Sequence, residues 1–118
     1  MKNIFKQNNR KFKVGLKKKI TITDIGSIEL NEDELLKLIS KEGIEHNLIK
    51  KDFGYYLTES INKRLINNGY KVAITKNNDN LFFIMLVEIS KIKKFEKYLI
   101  DEKNTLVCWL PNKSMLDK

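Results

Sequence analysis

The sequence predicts an α+β domain of ferredoxin-like order, β-α-β-β-α-β, with an extra hairpin at its start. Three observations carry that expectation. Leu81–Ile89 (LFFIMLVEI) is the one long apolar run, and both of its alternating sets are apolar, as in a central strand covered on two faces. Segments of period two precede it, and stretches with helical apolar stripes lie on both sides, a first helix split in two before it and one helix after it. The run is too short for a membrane span, which needs about 20 residues. A winged helix is the alternative architecture, with Lys50–Gly69 as a helix-turn-helix and a hairpin from Tyr70 as the wing. Its spacing is off: lysine stands at 50 where a small residue is wanted, and serine at 60 where an apolar one is.

Taken in order, the mostly apolar set Phe12, Val14, Leu16, Lys18, Ile20 and Ile22 alternates with Lys11, Lys13, Gly15, Lys17, Lys19, Thr21 and Thr23, which predicts one strand, or two short ones bent at Gly15. Thr23–Ser27 reads as a turn, and Ile28 and Leu30 as a short return strand. Asn31 is a helix N-cap with Glu34 three residues on, and Leu35, Leu36, Leu38 and Ile39 form one stripe, so a helix is expected over 32–42, stopped by Gly43. The competing reading is a hairpin of 35–40 and 44–49 turning at Glu42-Gly43. Thr58 is placed to cap a second helix with Ile61, Leu65 and Ile66 inward, ending at Gly69. Tyr70–Thr75 is a strand, and Asn77–Asn80 turns the chain into the apolar run. Ser90 caps a helix with Ile92, Phe95, Leu99 and Ile100 inward and Lys91, Lys93, Lys94 and Lys97 outward. Leu106–Leu110 is a last strand before Pro111. The expected division is a basic arm over 1–10, a single α+β domain over 11–111 and a frayed tail over 112–118.

The chain of 118 residues can bury one core, and its 42% hydrophobic and 32% charged content is globular. With 23 basic and 15 acidic side chains the net charge is +8. Lys2, Lys6, Arg10, Lys11, Lys13, Lys17, Lys18 and Lys19 supply that surplus, since no acid stands among the first 19 residues and the rest of the chain is balanced. Such segregation is a footprint of polyanion contact. A strand with Lys11, Lys13, Lys17 and Lys19 on one face would be a comb of phosphate contacts; the plainer use of such lysines is to guard an exposed edge. A single Cys forbids an internal disulfide, and no apolar segment follows the basic start, so a cytoplasmic location is expected.

A second candidate site is a turn holding a phosphate or carboxylate, with donors from Lys51, Tyr56, Thr58, Ser60 and Arg64 at the start of the second helix. Catalysis is not expected. His46 is the only histidine, Cys108 reads as a small core residue between Val107 and Trp109, and no phosphate loop, nucleophile elbow or dinucleotide fingerprint occurs. Asp52, Tyr56 and Arg64 are the nearest thing to an acid–base group. No cofactor is implied.

The run KDFGYYLTESINKRL (51–65), followed by GYKVAI, IMLVE, FEKYL and WL, resembles a family of small uncharacterised bacterial proteins. The resemblance covers Ile20 to Leu110 and leaves out the basic arm. It hints at an accessory role in surface-glycan assembly, with Lys51, Asp52, Gly54, Tyr56, Thr58, Ser60, Asn62 and Arg64 as the residues to test. Two functions are therefore expected. The first is a module binding a polyanion, DNA or RNA, through Arg10, Lys11, Lys13, Lys17, Lys18, Lys19 and Lys63. The second is an adaptor, inhibitor or accessory protein taking a protein partner or small anionic ligand at the Lys51–Arg64 turn.

Overall fold

The computed structural model describes Lys2–Asp117, leaving aside the side chains of residues 6–8. Met1, Lys118 and the Lys6 side chain, which the expected arm and tail include, lie outside the described residues. The fold is α+β. Its strands are β1 (Lys2–Val14), β2 (Ile20–Glu29), β3 (Leu35–Ile39), β4 (Glu45–Lys51), β5 (Gly54–Leu57), β6 (Tyr70–Lys76), β7 (Phe82–Glu88) and β8 (Thr105–Leu110). Its helices are α1 (Arg64–Asn67), α2 (Ile92–Asp101) and α3 (Lys113–Leu116). The strands form three antiparallel sheets, β1-β2, β3-β4-β5 and β7-β6-β8. The ferredoxin-like order and the winged helix both give way to this topology, because no described sheet has more than three strands and β4 follows β3 directly, with no helix between them. Two compact units result, one of the residues up to Val14 with Ile20–Glu59, the other of Gly15–Lys19 with Ser60 onward.

In the first unit, β1 and β2 make a long ribbon. The expected arm is part of it, since β1 runs unbroken from Lys2. The expected turn at Thr23–Ser27 is instead an irregularity inside β2, where the register shifts between Phe5 and Arg10 and the Asp24 carboxylate accepts the Gly26 N–H at 3.0 Å. Gly26 sits at φ +139°, and a Cβ there would lie 1.9 Å from the Ile4 carbonyl oxygen, so only glycine permits this pairing.

The helix expected over 32–42 is a correction: Leu35–Ile39 is β3, paired with Glu45–Ile49 of β4, as the competing hairpin reading has it. Half of the expected capping box nevertheless forms. Glu34 Oε1 accepts the Asn31 N–H at 2.7 Å, and this backbone hydrogen bond is the main cause holding the Glu34 carboxyl below its ordinary range. It closes a turn instead of opening a helix, because Asp33 takes a left-handed φ of 67° and hands its N–H to Lys50 of β4.

In the second unit, β6 is the central strand, pairing with β7 on one side and β8 on the other, so the apolar run is an edge strand and not the sheet's centre. The core follows β6: Val72 and Ala73 are buried with Val87, Leu99 and Leu65, while Phe95 of α2 packs on Trp109 with ring centroids 5.6 Å apart. The expected helix from Thr58 shrinks to the single turn α1, because the Thr58 N–H bonds the Asn47 carbonyl and prolongs the pairing of β5 with β4. The expected Ser90 helix is present as a 3-10 turn over Ile89–Lys91 leading into α2, with no side-chain cap and with Ile100 exposed instead of inward. Within the expected tail, α3 forms under an Asn112 cap whose Oδ1 accepts the Met115 N–H.

Candidate nucleic-acid interface

Residues directly opposite in an antiparallel pair share a face. On the ribbon, Lys11 opposes Thr23 and Lys13 opposes Thr21, which gives one face of two ammonium groups beside two hydroxyls, all exposed. The other face holds Arg10 opposite Asp24, Phe12 opposite Ile22 and Val14 opposite Ile20. Arg10 is committed there: its Nε lies 3.6 Å from an Asp24 carboxylate oxygen, and its guanidinium carbon stands 4.6 Å over the Phe12 ring. Lys11 and Lys13 make no ion pair among the described residues.

The comb expected from Lys11, Lys13, Lys17 and Lys19 is divided. Gly15–Lys19 is the connection between the strands and belongs to the second unit. Gly15 takes φ +112°, where a Cβ would stand 2.3 Å from the Lys18 carbonyl oxygen. Glu102 accepts the Leu16 N–H at 2.9 Å and the Lys17 N–H at 3.3 Å. The Lys17 ammonium lies 3.3 Å from Asp101, which Lys97 also pairs at 2.9 Å. These two ammonium groups, Lys97 first, hold the Asp101 carboxyl below its usual range. Lys19 Nζ donates to the Gly15 carbonyl at 2.6 Å. Lys18 and Lys63 are exposed, the latter just ahead of α1.

Of the five donors expected at the Lys51–Arg64 turn, three lie in one unit and two in the other. Lys51, Tyr56 and Thr58 lie in the first unit, and Ser60 and Arg64 in the second. Three of these side chains have local partners. Lys51 Nζ donates to Asp33, which raises the Lys51 pKa, and the Thr58 hydroxyl donates to Glu59 at 3.3 Å. Ser60 Oγ accepts the Arg64 N–H at 3.0 Å, so it closes a turn ahead of a four-residue helix.

Sequence reasoning missed Glu59. Its carboxylate is buried, accepts the Asn47 N–H at 2.9 Å and lies 3.8 Å from Nδ1 of buried His46. The second unit also has a cleft of about 420 Å³ whose lining includes Phe83, Met85, Tyr98, Asp79 and Glu102. Its two carboxylates give it the wrong sign for phosphate. Among the described residues no group of side chains could hold a metal ion, and no helix is long and apolar enough to cross a membrane.

No family model matches the chain, and no curated protein or solved structure does.

Proposed function

We propose that this protein binds nucleic acid, duplex DNA in the first instance, through the lysine–threonine face of the β1–β2 ribbon. The observation that carries the reading is that Lys11 and Lys13 lie opposite Thr23 and Thr21 with no carboxylate of the described residues paired to either lysine. A two-stranded ribbon fits the major groove of B-form DNA, and ammonium and hydroxyl groups are the usual donors to phosphate oxygens. The major groove of A-form RNA is too narrow for it. Arg10, Lys17, Lys18, Lys19 and Lys63 contribute through the general positive field, Lys17 and Arg10 least because each is already paired.

The test is a fluorescence-anisotropy titration of labelled duplex DNA, single-stranded DNA and duplex RNA over a range of salt concentrations. Each lysine on a phosphate contributes about 0.9 to the slope of log affinity against log salt. Lys11→Gln with Lys13→Gln should therefore flatten the slope by roughly 1.8, worth about tenfold in affinity over a fourfold change in salt. Lys17→Gln should change it by much less. An unchanged slope in the double variant, or no binding of the wild type at low salt, overturns the proposal.

A further inference from the structure

We infer that two copies of this chain associate through β7, edge to edge, into one continuous antiparallel sheet. Among the described residues strand β7 has a neighbour on one side only, and the strand is strongly apolar: Phe82 is 63% exposed and Ile84 75%, with Leu81 and Phe83 exposed beside them. Residues Leu81–Val87 include no charge and no proline, so the edge lacks the guards that usually keep strands apart.

The hydrogen-bond phase of the edge can be read from the bonds that flank it. Ile89 N–H donates to Gly69 O, and Asn77 N–H donates to Leu81 O. In an antiparallel ladder bonded pairs alternate with non-bonded ones. The bonded pairs of β6 and β7 are therefore Lys71 with Val87, Ala73 with Met85 and Thr75 with Phe83. The N–H and C=O groups of Phe82, Ile84 and Leu86 point away from β6, toward the open side. The side chains of these three residues also share one face.

That arrangement is complementary to itself. A two-fold axis at Ile84 sets Ile84 against Ile84 of the second copy and Phe82 against its Leu86. Every outward backbone group of the three then finds a partner, and apolar side chains oppose apolar ones on both faces. Two chains of net charge +8 repel in general, and this uncharged stretch lets them meet with no like charges opposed. The exposed parts of Leu81, Phe82, Phe83 and Ile84 come to roughly 400 Å² per copy, hence roughly 800 Å² for the pair before the backbone is counted. A specific interface buries about 1,000 Å² or more, so the expected dimer is a weak one.

Sedimentation velocity on the full chain over a concentration series, joined to residue-resolved amide exchange, decides the matter. The wild type should pass from monomer to dimer, while Ile84→Lys stays monomeric with an unchanged circular dichroism spectrum. In the wild type the amides of Phe82, Ile84 and Leu86 should become protected as concentration rises, and those of Phe83, Met85 and Val87 should be protected throughout. This second readout stands even where the variant misfolds. A wild type that is monomeric at every concentration, a dimer that survives Ile84→Lys, open-ended polymers, or a dimer whose outward amides exchange freely would each overturn the inference.

Discussion

Replacing Glu59 probes a buried carboxylate of the first unit, and the two obvious substitutions should separate cleanly. In Glu59→Ala the Asn47 N–H, bonded to Oε1 at 2.9 Å, loses its acceptor in a place that solvent does not reach. An orphaned buried donor costs about 1–3 kcal/mol, and a hydrogen bond to a charged acceptor contributes about 1.5–3 kcal/mol, two views of the same loss. The Thr58 hydroxyl loses its partner as well, and a void replaces the side chain. A total of about 3 kcal/mol is expected, a large part of the 5–15 kcal/mol that holds an ordinary domain together. Glu59→Gln keeps an amide oxygen where the Asn47 N–H needs it and should cost about 1 kcal/mol. The assay is urea unfolding followed by circular dichroism, with amide exchange of Asn47, Leu48 and Ile49 reporting on β4 directly. If Glu59→Ala lies within about 0.5 kcal/mol of wild type, or if Glu59→Gln is as damaging as Glu59→Ala, the hydrogen-bond reasoning is refuted.

Two further outcomes follow from the same kind of accounting. Thr75 is fully buried on β6 and its hydroxyl has no partner, so Thr75→Val, which keeps the shape and deletes the unsatisfied group, should stabilise the chain by about 1 kcal/mol and raise the thermal midpoint by about 4 °C; a lower midpoint in differential scanning calorimetry would show that the hydroxyl is satisfied after all. Because the Asp101 carboxyl is depressed when folded, its pairing with Lys97 and Lys17 contributes stability that is present above the unfolded value of about 3.9 and is lost as pH falls through the lower folded value. Acid titration followed by carboxyl NMR should show that displaced midpoint, and Asp101→Asn should remove this part of the acid sensitivity.

Much of the strand content was legible because it is local. The strand at Tyr70, the apolar run and the strand before Pro111 fall within a residue or two of β6, β7 and β8, while the alternation over 11–23 marks only the inner parts of β1 and β2, which extend back to Lys2 and on to Glu29. What failed was placement, which depends on partners far away in sequence. Leu81–Ile89 has the pattern of a central strand because apolar residues on both faces usually mean cover on both faces. The central position instead belongs to Tyr70–Lys76, since Leu106–Leu110 returns to pair with it. Asn31 and Glu34 show the other failure. Only the Glu34 half of the expected capping box is present, since the Glu34 N–H bonds the Asn31 backbone carbonyl and not its side chain; that half closes a turn as well as it caps a helix, and the pairing of Leu35–Ile39 with β4 decides between them.

The candidate site shows where such reasoning reaches its limit. Composition places the positive charge at the front of the chain but says nothing about where each ammonium group ends. Lys17 meets Asp101, and Lys19 turns back on the Gly15 carbonyl, contacts that no spacing rule announces. Lys11 and Lys13 differ because their own strand supplies no acid and the strand opposite offers them threonines, while the one nearby carboxylate, Asp24, sits on the other face with Arg10. A lysine held beside a carboxylate must break that pairing to meet a phosphate, so part of the counterion-release gain is spent in advance. The weight of the proposed interface therefore falls on two residues and not on all eight cations of the first 19 positions.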